Sequence, residues 1–375
     1  MQVVFRSAFF SPGGYGSAAR EIALAMEEAG VDLKLENIGD RYEFLAPHVQ
    51  TLLEHLESRP LRSESLLLTV SSGATPAERA QFKRVVTCVM WETSKAPPAL
   101  ADPCQTMDAM IVPNNFNKEA FRNAGVKIPI YTAPYGVNSE SFSAIGPTER
   151  FGEPDDHFVF LSIFGWSDRK GPDALLRAYV QEFDPDEPVV LFIKTHGLTS
   201  DHFPRHLYDE VMSQLKVRRP PKIQLITEAA PVERMAALMR GSDCFVLPTR
   251  GEGFGLPILE SMACGVPAIA TGWSGHMDFL NPDNGYVLPF TLVPAHPLWW
   301  TDLYQPDQLW AEPDVGALQS LMRRAYRNRA ELRVKGNAAR ATAEGWTWNR
   351  TAEAFIRNLE QIAGTSIRLG SPAFS

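Results

Sequence analysis

The segment from Arg250 to Pro267, RGEGFGLPILESMACGVP, constrains the fold of this chain more than any other stretch of its sequence. An apolar run at Cys244–Leu247 leads directly into a glycine-rich loop, and Pro257 then stands where proline is tolerated, at the first position of a helix. Gly265 and Pro267 follow where that helix must end. A buried strand, a loop and a helix in this order predict an open α/β sheet, which binds ligands at the carboxyl ends of its strands.

The junction between this loop and the helix predicts a site for a phosphate-containing ligand. Backbone N–H groups and the positive end of the helix dipole favour an anion at a helix N-terminus. Glu252 precedes the loop and Glu260 lies about one turn inside the helix, so two carboxylates flank the anion site. A nucleotide-sugar, with phosphates at its centre and hydroxyl groups at both ends, suits this arrangement. The alternative is a surface helix with solvated glutamates, which would not need Gly-Phe-Gly-Leu-Pro at its entry.

Composition limits the classes of function that remain. A chain of 375 residues exceeds one comfortable core, so two domains are expected. The net charge of −8 argues against a nucleic-acid partner. No signal peptide and no apolar run of membrane-spanning length is found, so membrane contact is expected to be at most peripheral. Four scattered cysteines indicate free thiols in a reducing, cytoplasmic compartment: Cys88, Cys104, Cys244 and Cys264.

Apolar runs alternate with helical patterns along nearly the whole chain, which predicts parallel sheets built from βαβ units. Predicted strands are Val3–Phe5, Leu66–Val70, Val85–Met90, Ala109–Val112 and Ile128–Thr132, then Phe158–Ile163, Val189–Lys194, Ile223–Ile226, Cys244–Leu247 and Ala268–Ala270. Predicted helices are 17–29, 173–182, 232–239, 257–264, a long stretch at 315–341, and a last one within 346–363. Residues 138–156 are predicted to be a linker.

Two further loops could contribute to the phosphate site. Arg169 and Lys170 stand in the turn after a predicted strand, where they could be solvated or paired with an aspartate, although a diphosphate ligand is favoured. Near the N-terminus, SPGGYGSAAR places glycines between a strand and a helix. Gly13 and Gly14 there could let backbone approach an anion closely, or could form a plain tight turn.

No metal site and no cofactor is predicted. The HFPRH segment, with His202 and His206, contains a proline and lacks the glutamate of a zinc-binding helix. Asp184 and Asp186 lie in a polar connector without further ligands nearby. Residues 289–313 are rich in aromatic side chains, and they could form a sugar-binding lid or a loop fixed by packing; these side chains are Trp299, Trp300, Tyr304 and Trp310.

These motifs together resemble the retaining glycosyltransferases of family 4, which have the GT-B fold. E-G-F-G-L-P-I-L-E followed by A-C-G-V-P is similar to the E-x₇-E signature of that family. The glycine-rich first loop, VPNNFNKEAFRNAGV, PYGVN and RKG support the resemblance. WAEPD and the tryptophan-rich tail are similar to a bacterial branch of it.

The resemblance implies an α/β chain of two Rossmann-like, doubly wound domains facing across a cleft. Residues 1–145 would form the acceptor-side domain, 146–345 the domain that binds the nucleotide-sugar, and 346–375 a helical segment that crosses back to the first domain. Catalytic roles would fall to Glu252, Lys170 and Arg169. Donor contacts would come from Gly13, Gly14, Gly253, Phe254, Gly255, Leu256 and Glu260.

Two positions depart from the family pattern. The usual arginine precedes the lysine by several residues, where this chain has Gly165 and Trp166, so Arg169 stands adjacent to Lys170 instead. A histidine common in the family is replaced within Met90–Thr93, where Glu92 could contact the transferred sugar or mark a different acceptor.

The sequence therefore predicts a metal-independent, retaining glycosyltransferase that moves a hexose from a nucleoside-diphosphate sugar to an acceptor hydroxyl. Its partners would be that donor and a sugar or glycoconjugate acceptor. The alternatives are a GT-B nucleotide-sugar epimerase or hydrolase and a non-catalytic nucleotide-sugar-binding protein. The base, the sugar and the acceptor are not encoded in a readable pattern.

Overall fold

The computed structural model of the protein describes residues 1–11, 13–41, 45–196, 203–298 and 301–369. The chain divides into two compact units, one comprising Met1–Asn138 and Trp346–Ser375 and the other Ser139–Gly345. The division falls seven residues before the predicted boundary at 145/146. Residues 139–145 belong to the second unit because the Arg240 guanidinium donates to the carbonyls of Ser141 and Ser143, at 3.2 and 3.3 Å.

The first unit is built on a parallel sheet with the strand order β2-β1-β3-β4-β5-β6. Its central strands are buried along their length, as expected where helices cover both faces. The strands are β1 Gln2–Ser7, β2 Leu33–Asn37, β3 Ser65–Thr69, β4 Arg84–Thr87, β5 Ala109–Val112 and β6 Ile130–Thr132. The helices are α1 Gly14–Glu28, α2 Pro47–Ser58, α3 Pro76–Gln81, α4 Pro98–Cys104 and α5 Asn115–Asn123.

The second unit is built on another parallel sheet, with the order β12-β11-β10-β7-β8-β9. Fully buried aromatic side chains such as Phe160, Tyr179 and Phe245 form its core. The strands are β7 Phe158–Gly165, β8 Val189–His196, β9 Lys222–Ile226, β10 Cys244–Leu247, β11 Ala268–Thr271 and β12 Tyr286–Leu288. The helices are α6 Pro172–Glu182, α7 Phe203–Leu215, α8 Val232–Arg240, α9 Leu256–Ala263, α10 Val315–Arg327 and α11 Arg329–Ala343.

A two-stranded antiparallel ribbon, β13 Phe290–Pro294 and β14 Leu309–Pro313, follows the second sheet. It occupies the aromatic stretch whose role the sequence left open. Tyr304 and Trp310 are buried, with ring centroids 6.1 Å apart, so these two side chains pack inside the unit. Trp299 and Trp300 lie outside the described residues.

The last helix, α12 Trp348–Ala363, returns to the first unit. It lies against α1. The Thr347 side chain caps its N-terminus, and the Thr351 hydroxyl donates to the carbonyl of Pro134 at 2.7 Å. The backbone N–H of Val137 donates to the carbonyl of Trp346 at 2.9 Å. Backbone contacts therefore hold the start of this helix against the segment that follows β6.

The predicted strands are all present, with ends within three residues of the prediction. The long helix predicted at 315–341 is wrong, because Asn328 has φ −110° and ψ 71° and interrupts it. The Asn328 side chain accepts from the N–H of Glu331 and caps α11. Strands β2 and β12 were not predicted. Both are edge strands; the LKLEN sequence of β2 is only partly buried, and β12 has three residues. No helix among the described residues has the length and apolarity to cross a bilayer.

Replacing Gly136 with alanine should destabilise the first unit. A Cβ at this position would lie 2.4 Å from the carbonyl carbon of Thr347 and from the backbone nitrogen of Trp348, so backbone must move. We expect a loss of about 1–3 kcal/mol in the free energy of unfolding, measured by urea denaturation. Gly316→Ala, where the Cβ has only an ordinary 3.5 Å contact inside α10, is the control and should be neutral or slightly stabilising. Equal effects of the two substitutions would contradict this account of the packing.

Candidate functional site

Three loops of the second unit lie side by side at the carboxyl edge of its sheet. They follow β7, β10 and β11, which are consecutive neighbours in the strand order. The loops comprise residues 166–171, 248–255 and 272–278. Parallel strands end at the same edge, so residues far apart in sequence meet there.

An ion pair between Lys170 and Glu252 connects the first two loops. The Lys170 Nζ lies 2.7 and 2.8 Å from the two carboxylate oxygens of Glu252. The side chains are only 16% and 6% exposed, respectively. Arg169 adds a second cation, with Nη1 3.8 Å from Glu252 Oε1, and it donates to the carbonyl of Gly251 at 2.5 Å. The structure thus brings together the three residues to which catalytic roles were assigned.

Gly171 makes the close approach of these two loops possible. Its φ is +68°, and a Cβ there would lie 2.1 Å from the carbonyl oxygen of Pro248. The backbone N–H of Arg250 also donates to the carbonyl of Arg169 at 2.6 Å. The glycine of the RKG motif is therefore required by the contact between the loops, both for its backbone conformation and for its missing side chain.

The third loop holds the backbone of Glu252 from the other side. The N–H of Glu252 donates to Ser274 Oγ at 2.9 Å, and its carbonyl accepts from the N–H of Gly275 at 3.0 Å. Ser274 has φ +83°, an unfavourable conformation for a residue with a side chain. Such strain is typical of functional loops. Here it places the Ser274 hydroxyl and the Gly275 N–H against the backbone of Glu252.

Electrostatics keep Glu252 ionised in this buried position. Burial alone would raise the pKa of the carboxyl group, but the charges of Lys170 and Arg169 and the hydrogen bond from Lys170 outweigh it and lower the pKa below its usual range. Lys170, Arg169 and Glu252 thus bring two cations and one carboxylate together. That balance suits an anionic ligand that replaces part of the ion pairing.

His276 was not predicted, and it lies fully buried beside this glutamate. Its Nε2 is 2.7 Å from the carbonyl oxygen of Thr271, which can only accept, so Nε2 carries the proton. Burial lowers the pKa of the imidazole, although Glu252 opposes this. The histidine is therefore neutral, and its buried Nδ1 lone pair has no hydrogen-bond partner among the residues that the structure describes. The signal in the sequence was its place just after a strand, in GWSGHMD.

Helix α9 begins at Leu256, in the same loop that carries Glu252. Gly255 caps it with φ +94°, and a Cβ there would lie 2.9 Å from the Cβ of His276. A glycine cap has no side chain to occupy the first turn, so the helix N-terminus can receive an anion. Phe254 is buried against Phe279, which fixes the loop. Glu260 lies one turn inside α9 and is half-buried.

Gly253 lies in the loop between β10 and α9, and Leu256 is the first residue of α9. The other predicted residues lie in the first unit. Gly13 caps α1 with an ordinary φ of −76°, and Gly14 begins that helix. Gly16, which had no assigned role, is the position where a side chain cannot fit, since a Cβ would lie 2.2 Å from the carbonyl oxygen of Ser11. Glu92 is half-buried in the loop after β4. Asn117 shapes that loop, because its Oδ1 accepts from the N–H of Trp91 at 2.7 Å.

Two charged residues near the carboxyl edge were also missed by sequence reasoning. Lys194, near the end of β8, is 6% exposed. Arg250, at the start of the loop after β10, is also 6% exposed. Both follow apolar strand residues, and a charged side chain at the end of a buried strand is the signal that could have found them. No group of three or more His, Cys, Asp or Glu side chains within the described residues could hold a metal.

Comparison with known protein sequences places this site in a family. Residues 155–295 match the model of Glycosyl transferases group 1. The D-inositol 3-phosphate glycosyltransferase of Paenarthrobacter aurescens is 24% identical over 247 residues, which cover 64% of this chain and 51% of that protein. A putative glycosyltransferase of a Sulfolobus islandicus filamentous virus is 26% identical over 226 residues, covering 58% and 56%. The chain thus spans about half the length of the curated relatives it matches.

Solved structures share the fold along the whole chain. HepE from Anabaena, crystallised with UDP and glucose, aligns with a TM-score of 0.69 at 14% identity and covers 96% of this chain and 100% of that one. Sucrose-phosphate synthase from Thermosynechococcus elongatus aligns with a TM-score of 0.68 at 18% identity, covering 97% and 100%. Residues 155–295 therefore form a glycosyl transferases group 1 domain, and the chain as a whole has the GT-B fold of these solved structures.

Proposed function

We propose that this protein is a retaining, metal-independent glycosyltransferase that moves a hexose from a nucleoside-diphosphate sugar to an acceptor hydroxyl. The observation that carries the proposal is the buried Lys170–Glu252 pair, whose glutamate lies in the loop that leads into the N-terminus of α9. A cation, a carboxylate and a helix N-terminus in one place match the phosphate and the hydroxyl groups of such a donor. The group 1 domain and its glycosyltransferase relatives support the same class of reaction.

In this mechanism, Lys170 stabilises the negative charge that develops on the departing diphosphate. Glu252 exchanges its bond to Lys170 for hydroxyl groups of the donor sugar, which releases the ammonium for the phosphates. Arg169 adds positive charge at 3.8 Å from the carboxylate, while its bond to the Gly251 carbonyl keeps the loop closed. Two cations and a helix dipole supply the charge that a divalent ion would otherwise supply.

The other predicted residues would bind the donor without taking part in the bond changes. Glu260 would bind the ribose hydroxyls from its place one turn inside α9. Backbone groups of 253–256 would face the phosphates or the sugar. Gly13, Gly14 and Glu92 would contribute from the first unit, the glycines toward the diphosphate and Glu92 toward the transferred sugar.

Lys170→Ala should lower kcat by roughly 10²-fold or more, because one preorganised charge at the leaving group is lost.

Glu260→Ala should instead raise the KM for the donor and leave kcat nearly unchanged, since ribose contacts are alike in ground and transition states. Steady-state kinetics with UDP-, GDP-, ADP- and dTDP-sugars would measure both, after a thermal-shift screen identifies the donor.

This pair of variants controls for unfolding, because both remove a half-buried or buried charged side chain from the same unit. A larger effect of Glu260→Ala on kcat than on KM would contradict its assignment to the ribose.

The wild-type enzyme should also keep its rate in excess EDTA. Loss of activity in EDTA that Mg²⁺ or Mn²⁺ restores would overturn the metal-independent mechanism. Turnover of donor without an acceptor would favour an epimerase or hydrolase.

The product should keep the anomeric configuration of the donor. An inverting reaction needs a base on the acceptor side to take the hydroxyl proton, and Glu92 is the candidate in the first unit. A front-side reaction lets the leaving phosphate take that proton, while Lys170 and Glu252 hold the diphosphate and the sugar. Proton NMR of fresh product from an α-linked donor should show an α-glycoside. A β-glycoside would exclude retention and would make Glu92 the general base.

The Lys170–Glu252 pair should also make stability depend on pH in the unliganded protein. The pKa of Glu252 is lowered by folding from the ordinary 4.5, so the pair stabilises the fold above about pH 5 and loses this contribution as the pH falls through the lower folded value. The difference in urea midpoint between wild type and Glu252→Gln should therefore be largest near neutral pH and should shrink toward pH 3.

Glu344→Gln is the control for that measurement, since it breaks a surface pair with Arg340 in which the carboxylate is 66% exposed. Its effect should be below about 0.5 kcal/mol at every pH. A Glu252→Gln difference that stays constant with pH would show that the substitution acts through packing alone.

A further inference from the structure

Arg250 has no place in the proposed chemistry, yet it is one of the most completely bonded side chains in the second unit. Its guanidinium forms a two-bond contact with Asp173, at 3.0 and 2.9 Å, and another with Glu312, at 2.6 and 2.8 Å. It also donates to the carbonyl of Asp168 at 2.5 Å. All five N–H bonds of the guanidinium are thereby used.

These contacts join four separate segments of the unit. Asp168 begins the turn that carries Lys170, and Asp173 lies in the first turn of α6. Glu312 belongs to β14, the second strand of the ribbon. A main-chain bond also joins Arg250 to β14, because the carbonyl of Arg250 accepts from the N–H of Ala311 at 2.9 Å. The WAEPD sequence thus supplies both the carboxylate of Glu312 and the backbone N–H of Ala311.

The opposite charges of Arg250 and its two carboxylate partners stabilise one another inside the unit. Burial by itself would lower the pKa of the guanidinium, but its bonds to Glu312 and Asp173 raise it above its usual range. Burial would likewise raise the pKa of Asp173, and Arg250 lowers it instead. An arginine that bonds two carboxylates and a carbonyl has no N–H group left for a phosphate. Arg250 therefore cannot bind the nucleotide-sugar directly.

We propose that Arg250, held by Asp173 and Glu312, is a positioning residue that sets the distance between Lys170 and Glu252. The Asp168 carbonyl to which it donates lies two residues before Lys170, and Arg250 itself lies two residues before Glu252. Loosening this side chain would let the two loops shift relative to each other. The proposal assigns a function to the ribbon, because Glu312 of β14 would hold Arg250 in place. It rests on the proposed glycosyltransferase function only where kinetics are used to test it.

Arg323 provides a matched control within the same unit. It also pairs with two carboxylates, Glu182 and Glu187, and it lies against the ring of Phe183 at 4.4 Å. Its partners belong to α6 and the segment after it, and none of the contacts just given involves the three site loops. Arg323→Lys therefore reports what the loss of a partly buried, doubly paired arginine costs in stability alone.

The test compares Arg250→Lys and Arg323→Lys with wild type in two measurements. Lysine keeps the charge but has three N–H donors in place of five, so it cannot form a two-bond contact with each of two carboxylates and also bond the Asp168 carbonyl. The first measurement is the rate of acetylation of Lys170 by an amine-reactive ester, followed by peptide mass spectrometry, with Lys335 as an internal reference. Lys335 is 12% exposed, close to the 16% of Lys170. The second is the donor kcat and KM.

For Arg250→Lys we expect Lys170 to be acetylated at least about five-fold faster, and kcat to fall by roughly 10–100-fold with a smaller change in KM, the scale of a misplaced catalytic group. Arg323→Lys should change neither by more than about two-fold. Glu312→Gln, which removes one of the two carboxylate charges, should give a weaker effect in the same direction, and it replaces Arg250→Lys if that variant fails to fold.

Equal Lys170 acetylation in wild type and in the folded Arg250 or Glu312 variant would overturn the positioning role. The same holds if Arg323→Lys changes acetylation as much. If wild type turns over no donor while Arg250→Lys still exposes Lys170, the proposed function fails and the positioning role stands. If wild type is active and the Arg250 variant keeps its kcat, the positioning role fails and the function stands.

Discussion

The buried ion pair between Lys170 and Glu252 is the interaction on which the rest of the site depends. Taking a carboxylate out of water is costly, and only close, well-oriented partners compensate for it. Lys170 meets both oxygens of the carboxylate, while Ser274 and Gly275 hold the backbone on either side. In the proposed mechanism, the ion pair keeps both charges neutralised until the donor binds. A ligand that offers phosphate to the lysine and hydroxyls to the glutamate can separate them without leaving either uncompensated.

Rigid backbone contacts place the two partners of this pair. Gly171 lets the turn after β7 come within contact of the Pro248 carbonyl, and Gly255 lets α9 begin against His276. Behind them, Arg250 connects both loops to α6 and to the ribbon. Charged groups that stabilise a transition state are effective when they need no rearrangement during the reaction. The bonding around Arg250 and the strained Ser274 fit that requirement.

The group 1 domain and the site coincide, because residues 155–295 contain every one of these loops. The first unit has a sheet of the same kind, with its own glycine-rich turn and with Trp91 and Asn117 shaping the loop that carries Glu92. Its most comparable ion pair, Arg59 with Glu27 at 2.6 and 2.9 Å, lies at the ends of α1 and α2, where Arg59 also donates to the carbonyl of Leu33 at the start of β2. This pair therefore lies away from the carboxyl ends of the strands, which is consistent with the proposal that the second unit binds the anionic donor.

The sequence by itself determined the parallel α/β class and nearly all strands of both sheets, and it predicted Lys170 and Glu252 as site residues. These follow from local rules: buried parallel strands are continuous apolar runs, and glycine and proline mark the turns around helices. It did not reveal the break at Asn328, since both flanking segments have helical periodicity. Nor did it reveal that Lys170 bonds Glu252 at all, or that Arg250, Ser274 and His276 surround them. Those contacts span 22 to 82 residues of chain, and only the order of β11, β10 and β7 in the sheet brings them to one edge.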